Sequence, residues 1–243
     1  MISTEEFRFA KFQEHYFNMC DLAHHIPRIQ SILSNTRDRE ERHLILANIP
    51  SKYWKFELEH ILNDLTNQET MLEPVSMIRN YIEKLHIMFK EGVGLYLEGS
   101  NGTSKTTVAT IILREAMKLH YRVFFCSSLD LIEFITMGWK NDAFKGRWQY
   151  ILDTVDFLVI DDVGRELNID AKEKTFLDKL FVNRSNLRLP TILTSNVSKT
   201  DMKDKFSKSL FSLFSENLCS VELIRTDVRI DYEKKNKSLI LGE

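Results

Sequence analysis

The sequence predicts an α/β fold in which helices flank a largely parallel β-sheet. Helical patterns alternate with short β-branched or aromatic runs from about residue 76 onward. One of these runs, 157–161, is apolar until it reaches a carboxylate, which is typical of a strand buried on both faces. Helices and buried strands that alternate at this spacing indicate a parallel sheet covered by helices.

The composition is that of a soluble globular protein. Of the 243 residues, 43% are hydrophobic and 28% are charged, so the chain can bury a sizeable core. The net charge of −2 argues against broadly basic, histone-like binding of nucleic acid but allows a local basic groove. We expect a cytoplasmic protein without a membrane partner, because the N-terminus lacks signal-peptide features and no apolar run is long enough to span a bilayer.

A shift in composition near residue 75 predicts two regions. All eight glycines follow this point, whereas five of the seven histidines precede it. Apolar residues at helical spacing predict a helical N-terminal region and linker over 1–75. Within it, the charged stretch 37–42 is either a linker or an exposed helical turn. The α/β pattern occupies residues 76–243.

Glycines, capping residues and apolar runs divide the second region into helices and strands. A helix over 77–89 ends at Gly92, and a helix that begins at Ser127 or Ser128 runs to about Trp139. Two further helices and five strands complete the alternation. The helices are predicted at 106–120 and 171–184, and the strands at 95–97, 122–126, 157–161, 190–194 and 219–224.

A glycine-containing loop between the first strand and the next helix predicts a phosphate-binding site. Backbone N–H groups of such a loop surround a β-phosphate, and the N-terminus of the helix adds positive potential. Lys105 is expected to reach the β- and γ-phosphate oxygens, and the Thr106 hydroxyl to hold Mg²⁺. The residues predicted to bind ATP or ADP here are Gly99, Ser100, Asn101, Gly102, Thr103, Ser104, Lys105, Thr106 and Thr107.

One position departs from the phosphate-loop pattern G-x-x-x-x-G-K-[ST]. Ser104 stands where the glycine before the lysine is expected. A Cβ atom there has a cost only if the backbone is left-handed or a phosphate comes very close. Weak nucleotide binding therefore stays open, and the alternative interpretation of the segment is an ordinary polar loop.

Polar residues at the ends of two later strands predict the rest of the site. Asp161 is expected to hold the metal and Asp162 to act as the catalytic base for the attacking water. Asn196, which follows the next strand, is a candidate catalytic residue that reads the γ-phosphate or orients the water. Taken alone, the acidic pair is also compatible with a turn or helix cap, and Asn196 with the N-cap of a following helix.

Five further stretches carry a family resemblance. Together with the phosphate loop, they resemble AAA+ helicase loaders of the DnaC/DnaI type, which are closely related to the IstB-like ATP-binding proteins of transposition. The resemblance covers about 44–230 and implies a P-loop NTPase core with a parallel sheet and a helical N-terminal extension. The stretches are Ala47–Tyr53, Gly94–Gly99, Leu158–Gly164, Asn183–Arg184 and Pro190–Asn196.

The resemblance also implies a function and partners. Such a protein uses ATP, binds a DnaB-type hexameric replicative helicase through its N-terminal region, and assembles into a spiral on it. It then delivers the helicase onto single-stranded DNA. Arg229 matches the family's arginine that contacts the γ-phosphate in cis, although it is also compatible with a surface charge.

Two regions bear on how far this resemblance extends. Leu213 occupies the place of the arginine that reaches a neighbouring subunit's nucleotide, a finger that supplies about 10³ to 10⁵ in rate. Hydrolysis is therefore left open. Lys140, Lys145 and Arg147 lie among aromatic residues where relatives line a channel for single-stranded DNA, and they are the predicted DNA-binding residues. The alternative there is an amphipathic helix with a solvated basic face.

Three functions are compatible with these residues. The first is an ATP-dependent helicase loader. The second is an IstB-like transposition helper that binds duplex DNA and a transposase, which the absence of a strongly basic N-terminal arm disfavours. The third is a non-hydrolysing adaptor or inhibitor of a helicase, favoured by Ser104 and Leu213. The retained Lys105, Thr106, Asp161 and Asp162 count against the third function.

Overall fold

The computed structural model describes residues 38–66, 69–138, 152–164, 171–204 and 208–224, together with positions 149 and 240. The strands are β1 (Gly94–Glu98), β2 (Val123–Ser127), β3 (Phe157–Asp161), β4 (Thr191–Ser195) and β5 (Leu218–Glu222). The helices are α1 (Arg39–Leu46), α2 (Leu58–Thr66), α3 (Leu72–Glu83), α4 (Leu85–Glu91), α5 (Lys105–Lys118), α6 (Ser128–Gly138), α7 (Ala171–Asn186) and α8 (Lys208–Asn217), with short 3₁₀ helices at Ser51–Tyr53, Glu69–Met71 and Asp201–Asp204.

The five strands form one parallel sheet in the order β2-β3-β4-β1-β5. This order confirms the predicted α/β class with a parallel sheet. Because parallel strands end at the same edge, the residues that follow β1, β3 and β4 meet there. None of the described helices is long and apolar enough to cross a membrane.

Side chains alternate between the two faces of each strand, and the sheet therefore carries two hydrophobic cores. Leu95 and Leu97 of β1 belong to the first core, which includes buried residues of α2, α3 and α5. Tyr96, which lies between them, belongs to the second core, which includes buried residues of α6, α7 and α8. The phosphate loop connects β1 to α5, so its helix is fixed on the first face of the sheet.

Several apolar residues between 44 and 75 also belong to the first core. Leu44, Leu62 and Val75 are buried in the same cluster as the strand residues. The predicted division at residue 75 therefore falls inside a continuous core. The predicted helical extension before residue 38 lies outside the described residues.

The predicted helix over 77–89 is two helices in the structure. Lys84, with φ −111° and ψ 26°, separates α3 from α4. Gly92 ends α4 in a left-handed conformation, as its place after the apolar pattern predicts. The charged stretch near residue 40 is helical, because Asp38 caps α1 by accepting a 2.8 Å hydrogen bond from the Glu40 amide.

The segment before α2 is tied to the free edge of β2. The amide of Phe125 donates to the Ala47 carbonyl at 2.9 Å, and the Asn48 side-chain amide donates to the Phe125 carbonyl at 2.9 Å. Asn48 itself adopts a left-handed conformation, with φ 57°. Both backbone groups of Phe125 are satisfied in this way, and the edge strand is closed to further pairing at that residue.

Arg184 on α7 is a buried cation that lies against the starts of β3 and β4. Its side chain is 1% exposed and donates to the carbonyls of Leu152, Val155 and Pro190 and to the hydroxyl of Thr191. Burial lowers the pKa of Arg184 to about 9, so the guanidinium stays charged at neutral pH. These hydrogen bonds join α7 to the starts of β3 and β4.

We expect Arg184→Met to lower the free energy of unfolding by about 3 kcal/mol, because several buried acceptors lose their donor. Denaturant titration followed by circular dichroism measures this loss. Arg79→Met is the control, since Arg79 pairs with Glu59 at the surface, where solvent screens the ion pair. Equal losses in the two variants would show that the buried hydrogen bonds of Arg184 add no stability.

Candidate nucleotide site

The phosphate loop begins at a crowded point of the sheet edge. Gly99 has φ 144°, and a Cβ atom there would lie 2.2 Å from the carbonyl oxygen of Leu223. The approach is close because the Leu223 amide donates to the Glu98 carbonyl at 2.7 Å, which carries the chain after β5 across the start of the loop. Only glycine fits this position.

Ser104 adopts the conformation in which its Cβ atom has a cost. Its φ is 70° and its ψ is 15°, which is left-handed, and it forms no side-chain cap for α5. A left-handed residue other than glycine costs about 1 to 2 kcal/mol. The departure from the loop pattern therefore places a serine in a strained, left-handed backbone conformation.

Lys105 lies against the backbone of the same loop. The side chain is 7% exposed, and Nζ donates to the carbonyls of Gly99 at 2.8 Å and Ser100 at 2.6 Å. Thr103 donates to the Ser100 carbonyl at 3.0 Å and closes the turn. The ammonium group is thus held at the N-terminus of α5, inside the segment predicted to surround a phosphate.

Two hydroxyl groups meet on one oxygen of Asp161. Thr106 donates to Oδ1 at 2.8 Å, and Thr194 donates to the same atom at 2.6 Å. A hydroxyl oxygen and a carboxylate are the hard ligands that Mg²⁺ prefers. Because a hydroxyl that donates its proton keeps its lone pairs, Thr106 can serve a cation while it bonds Asp161. The predicted pair for magnesium, Thr106 and Asp161, fits such an ion.

The pKa of Asp161 lies above the usual value for an aspartate. Burial is the main cause, because it penalises the charged form. The hydrogen bonds from Thr194 and Thr106 act in the opposite direction, Asp162 raises the pKa further, and the ammonium of Lys52 lowers it. The hydroxyls therefore help to keep this carboxylate ionised.

Asp162 and Asn196 are in contact. The side-chain amide of Asn196 donates to Oδ1 of Asp162 at 3.1 Å. Asp162 has φ 60°, and its amide donates to the Thr194 hydroxyl at 2.9 Å. Ser198, rather than Asn196, caps the short helix that follows, since its hydroxyl accepts from the Asp201 amide at 3.1 Å. The cap interpretation of Asn196 is therefore wrong, and its amide faces the acidic pair.

The position of the expected finger arginine and four further predicted residues remain to be placed. Leu213 is half-buried on α8, where its carbonyl accepts a hydrogen bond from the side chain of Asn217. The four further residues lie outside the described residues and are Arg229, Lys140, Lys145 and Arg147.

Sequence reasoning missed two residues of this site. Thr194 is buried at the end of β4 and bonds both aspartates, but within the strand pattern it reads as an ordinary β-branched residue. The positive charge of Lys52, which lies more than 100 positions earlier in the chain, has a smaller effect and lowers the pKa of Asp161. The parallel register could have indicated Thr194, whereas no local signal in the sequence indicates Lys52.

We expect Ser104→Gly to raise the free energy of unfolding by about 0.5 to 1 kcal/mol. The relieved left-handed strain exceeds the extra chain entropy of glycine. Thermal unfolding without nucleotide measures the gain. Thr103→Gly is the matched control in the same loop and should lower stability, because Thr103 is buried and hydrogen-bonded. A lower melting temperature for Ser104→Gly would contradict the strain.

Comparisons with known proteins agree with this architecture. The DnaC helicase loader structure matches with a TM-score of 0.61 and 20% identity over 72% of this chain and 100% of that chain. The replication initiator DnaA, bound to AMPPCP and single-stranded DNA, matches with a TM-score of 0.59 and 22% identity over 73% of this chain and 51% of that chain. These likenesses confirm the AAA+ P-loop fold predicted from the sequence.

A curated relative and a family complete the comparison. The replicative helicase loader DnaI of Bacillus subtilis (strain 168) is 24% identical over 119 residues, which are 49% of this chain and 38% of the relative. The matched part thus spans well under half the length of that relative. The IstB-like ATP binding protein family matches residues 38–212, more than half of the chain, and the protein therefore belongs to that family.

Proposed function

We propose that the protein is an ATP-dependent loader of a replicative helicase. In this function it binds a DnaB-type hexameric helicase and delivers it onto single-stranded DNA during replication. The observation that carries the proposal is the convergence of Lys105, Thr106 and Asp161 at one edge of the sheet, in a member of an ATP-binding family. The likeness to DnaI and DnaC supports the choice of a helicase as partner.

In this proposal the phosphate loop holds the nucleotide by charge and by backbone donors. The N–H groups at the start of α5 and the ammonium of Lys105 face the β- and γ-phosphates. Lys105 exchanges its carbonyl partners, Gly99 and Ser100, for phosphate oxygens. Thr106 and Asp161 hold Mg²⁺, which neutralises phosphate charge when it is bound. Arg229 contacts the γ-phosphate in cis.

Hydrolysis, in the same proposal, uses the pair next to the metal ligands. The carboxylate of Asp162 accepts the proton of the attacking water. Asn196, 3.1 Å from that carboxylate, orients the water or contacts the γ-phosphate. Asp162 follows β3 and Asn196 follows β4, which are neighbouring strands of the sheet. Both strand ends therefore face the γ-phosphate in this proposal.

The partners are assigned to other parts of the chain. The region 1–75 supplies the contact with the helicase, and the part of it before residue 38 lies outside the described residues. Lys140, Lys145 and Arg147 contact the phosphates of single-stranded DNA, while neighbouring aromatic residues stack on bases. Copies of the protein assemble as a spiral on the helicase.

A second function is favoured by two particular residues. The strained backbone at Ser104 weakens nucleotide binding by the phosphate loop in this alternative, and Leu213 stands where a finger arginine is expected. A protein with both features suits a helicase-binding adaptor or inhibitor that holds nucleotide and does not turn it over. The two functions differ in one measurable property, which is helicase-stimulated hydrolysis.

We expect Lys105→Ala to weaken nucleotide binding at least about tenfold and to abolish hydrolysis, because charge-assisted hydrogen bonds to phosphate are lost. Binding is measured with a fluorescent ATP analogue. Hydrolysis is measured as phosphate release by the protein alone and with the cognate helicase and single-stranded DNA. Lys118→Ala is the control, because Lys118 lies at the exposed end of the same helix, where it pairs with Glu115.

The outcomes separate the proposals. Stimulated hydrolysis that Lys105→Ala removes and Lys118→Ala leaves intact supports the loader. Absence of turnover, together with a stable helicase complex, replaces the loader with the adaptor. Absence of a helicase complex, with duplex DNA preferred to single strands, contradicts both.

The DNA assignment predicts a change in salt dependence. Replacing Lys140, Lys145 and Arg147 with alanine removes three phosphate contacts. The negative slope of log affinity against log salt for single-stranded DNA should therefore become shallower by about 2. Fluorescence anisotropy of a labelled oligonucleotide over a salt series measures it. The control replaces three surface lysines of the described domain with alanine. An equal change of the salt slope in both triple variants would refute the assignment. These lysines are Lys84, Lys90 and Lys118.

A further inference from the structure

Thr194 joins the two aspartates at the end of β3. It is 1% exposed, and its hydroxyl donates to Oδ1 of Asp161 at 2.6 Å. The same hydroxyl accepts from the Asp162 amide at 2.9 Å, and the Thr194 carbonyl accepts from the Val163 amide at 2.8 Å. One residue of β4 therefore makes three hydrogen bonds to consecutive residues of the neighbouring strand end.

The direction of these hydrogen bonds is fixed by chemistry. A hydroxyl has one proton, and a backbone amide can only donate. Because the Asp162 amide points to the hydroxyl oxygen, the hydroxyl proton is directed to the Asp161 carboxylate. Thr194 thus presents a donor to an ionised carboxylate and an acceptor to the next residue at the same time.

The second aspartate needs this support. Asp162 has φ 60°, a conformation that costs a residue other than glycine about 1 to 3 kcal/mol unless its surroundings enforce it. Its amide is held by Thr194, and its carbonyl accepts a hydrogen bond from Ser128 at 3.0 Å. These two bonds hold the turn in which the Asp162 carboxylate meets Asn196.

We propose that Thr194 is a positioning residue that sets the Asp161 carboxylate for magnesium and, through the backbone of Asp162, aims the second carboxylate at the reacting end of the nucleotide. The inference rests on the proposed nucleotide-binding function. Two donated hydrogen bonds, from Thr106 and Thr194, occupy the lone pairs of Oδ1. In this proposal Oδ2 would be the oxygen of Asp161 that is available to a cation.

A purely structural hydroxyl would behave differently from a positioning one. Thr191 offers the comparison, because it lies at the opposite end of the same strand and is also buried. Its hydroxyl accepts a hydrogen bond from Arg184 at 2.9 Å, far from the acidic pair in the strand register. Thr191→Val therefore removes a buried hydroxyl of β4 without touching the strand ends that carry the aspartates.

The test compares nucleotide affinity with and without Mg²⁺ for the wild type, Thr194→Val, Thr194→Ser and Thr191→Val. The probe is a fluorescent ATP analogue, titrated in magnesium and in excess EDTA. We expect magnesium to strengthen nucleotide binding by the wild type. In Thr194→Val the affinity ratio between magnesium and EDTA should be about tenfold smaller, since hydrogen bonds to charged groups contribute on this scale. Its affinity in EDTA should stay within about twofold of the wild type, because Lys105 and the loop are unchanged.

The two matched variants complete the test. Thr194→Ser keeps the hydroxyl and should retain the magnesium gain. Thr191→Val should lower the melting temperature and leave the magnesium gain intact. The positioning role is overturned if magnesium strengthens binding by Thr194→Val as much as it does for the wild type. It is also overturned if Thr191→Val loses the effect of magnesium to the same degree as Thr194→Val. If Thr194→Val does not fold, Thr194→Ser decides the matter, because loss of the gain with the hydroxyl present overturns the proposal.

Failure of the underlying function gives a different pattern. If the wild type binds the analogue neither with magnesium nor in EDTA, the nucleotide site itself is refuted and the role of Thr194 falls with it. If the wild type binds with a magnesium gain that Thr194→Val shares, only the positioning role is refuted.

Discussion

The hydrogen bonds that converge on Oδ1 of Asp161 tie the phosphate-loop helix to two strands. Thr106 comes from α5 and Thr194 from β4, while Asp161 ends β3. In the order β3-β4-β1, β4 lies between the strand that carries the aspartates and the strand that leads into the loop. A residue at the end of β4 can therefore contact both the phosphate-loop side of the site and the aspartates. A movement of either one must change this contact.

Five described residues other than glycine are left-handed, and two of them, Ser104 and Asp162, lie in the loops that follow β1 and β3. Asn48 and Asp162 each have hydrogen bonds that offset their strain, to Phe125 and Thr194 respectively. Ser104 differs, because its side chain does not cap the helix that it precedes. Its cost is therefore balanced by the helix and by the buried Thr103 and Lys105 on its flanks, which hold the loop in shape.

The sequence predicted the elements whose signals are local. Glycines, a lysine followed by threonine, and an apolar run that ends in carboxylates identify the loop and β3 without reference to the rest of the chain. The roles of Thr194 and Arg184 depend on which strands are neighbours, and the sequence leaves that order undetermined. The sequence does not predict the left-handed backbone of Ser104, because serine usually avoids that conformation. The docking of Asn48 on β2 depends on a contact between residues 77 positions apart.

In the proposed function, the two departures from the family pattern, Ser104 and Leu213, act on different steps. Ser104 lies in the loop of the chain's own nucleotide and affects how tightly that nucleotide binds. Leu213 stands where an arginine would reach a neighbour's nucleotide, and it affects turnover within an assembly. Loss of such an arginine lowers the rate by about 10³ to 10⁵. If the proposed loader function holds, this pair of residues predicts slow hydrolysis by the protein alone and leaves the chain's own nucleotide site to Lys105, Thr106 and Asp161.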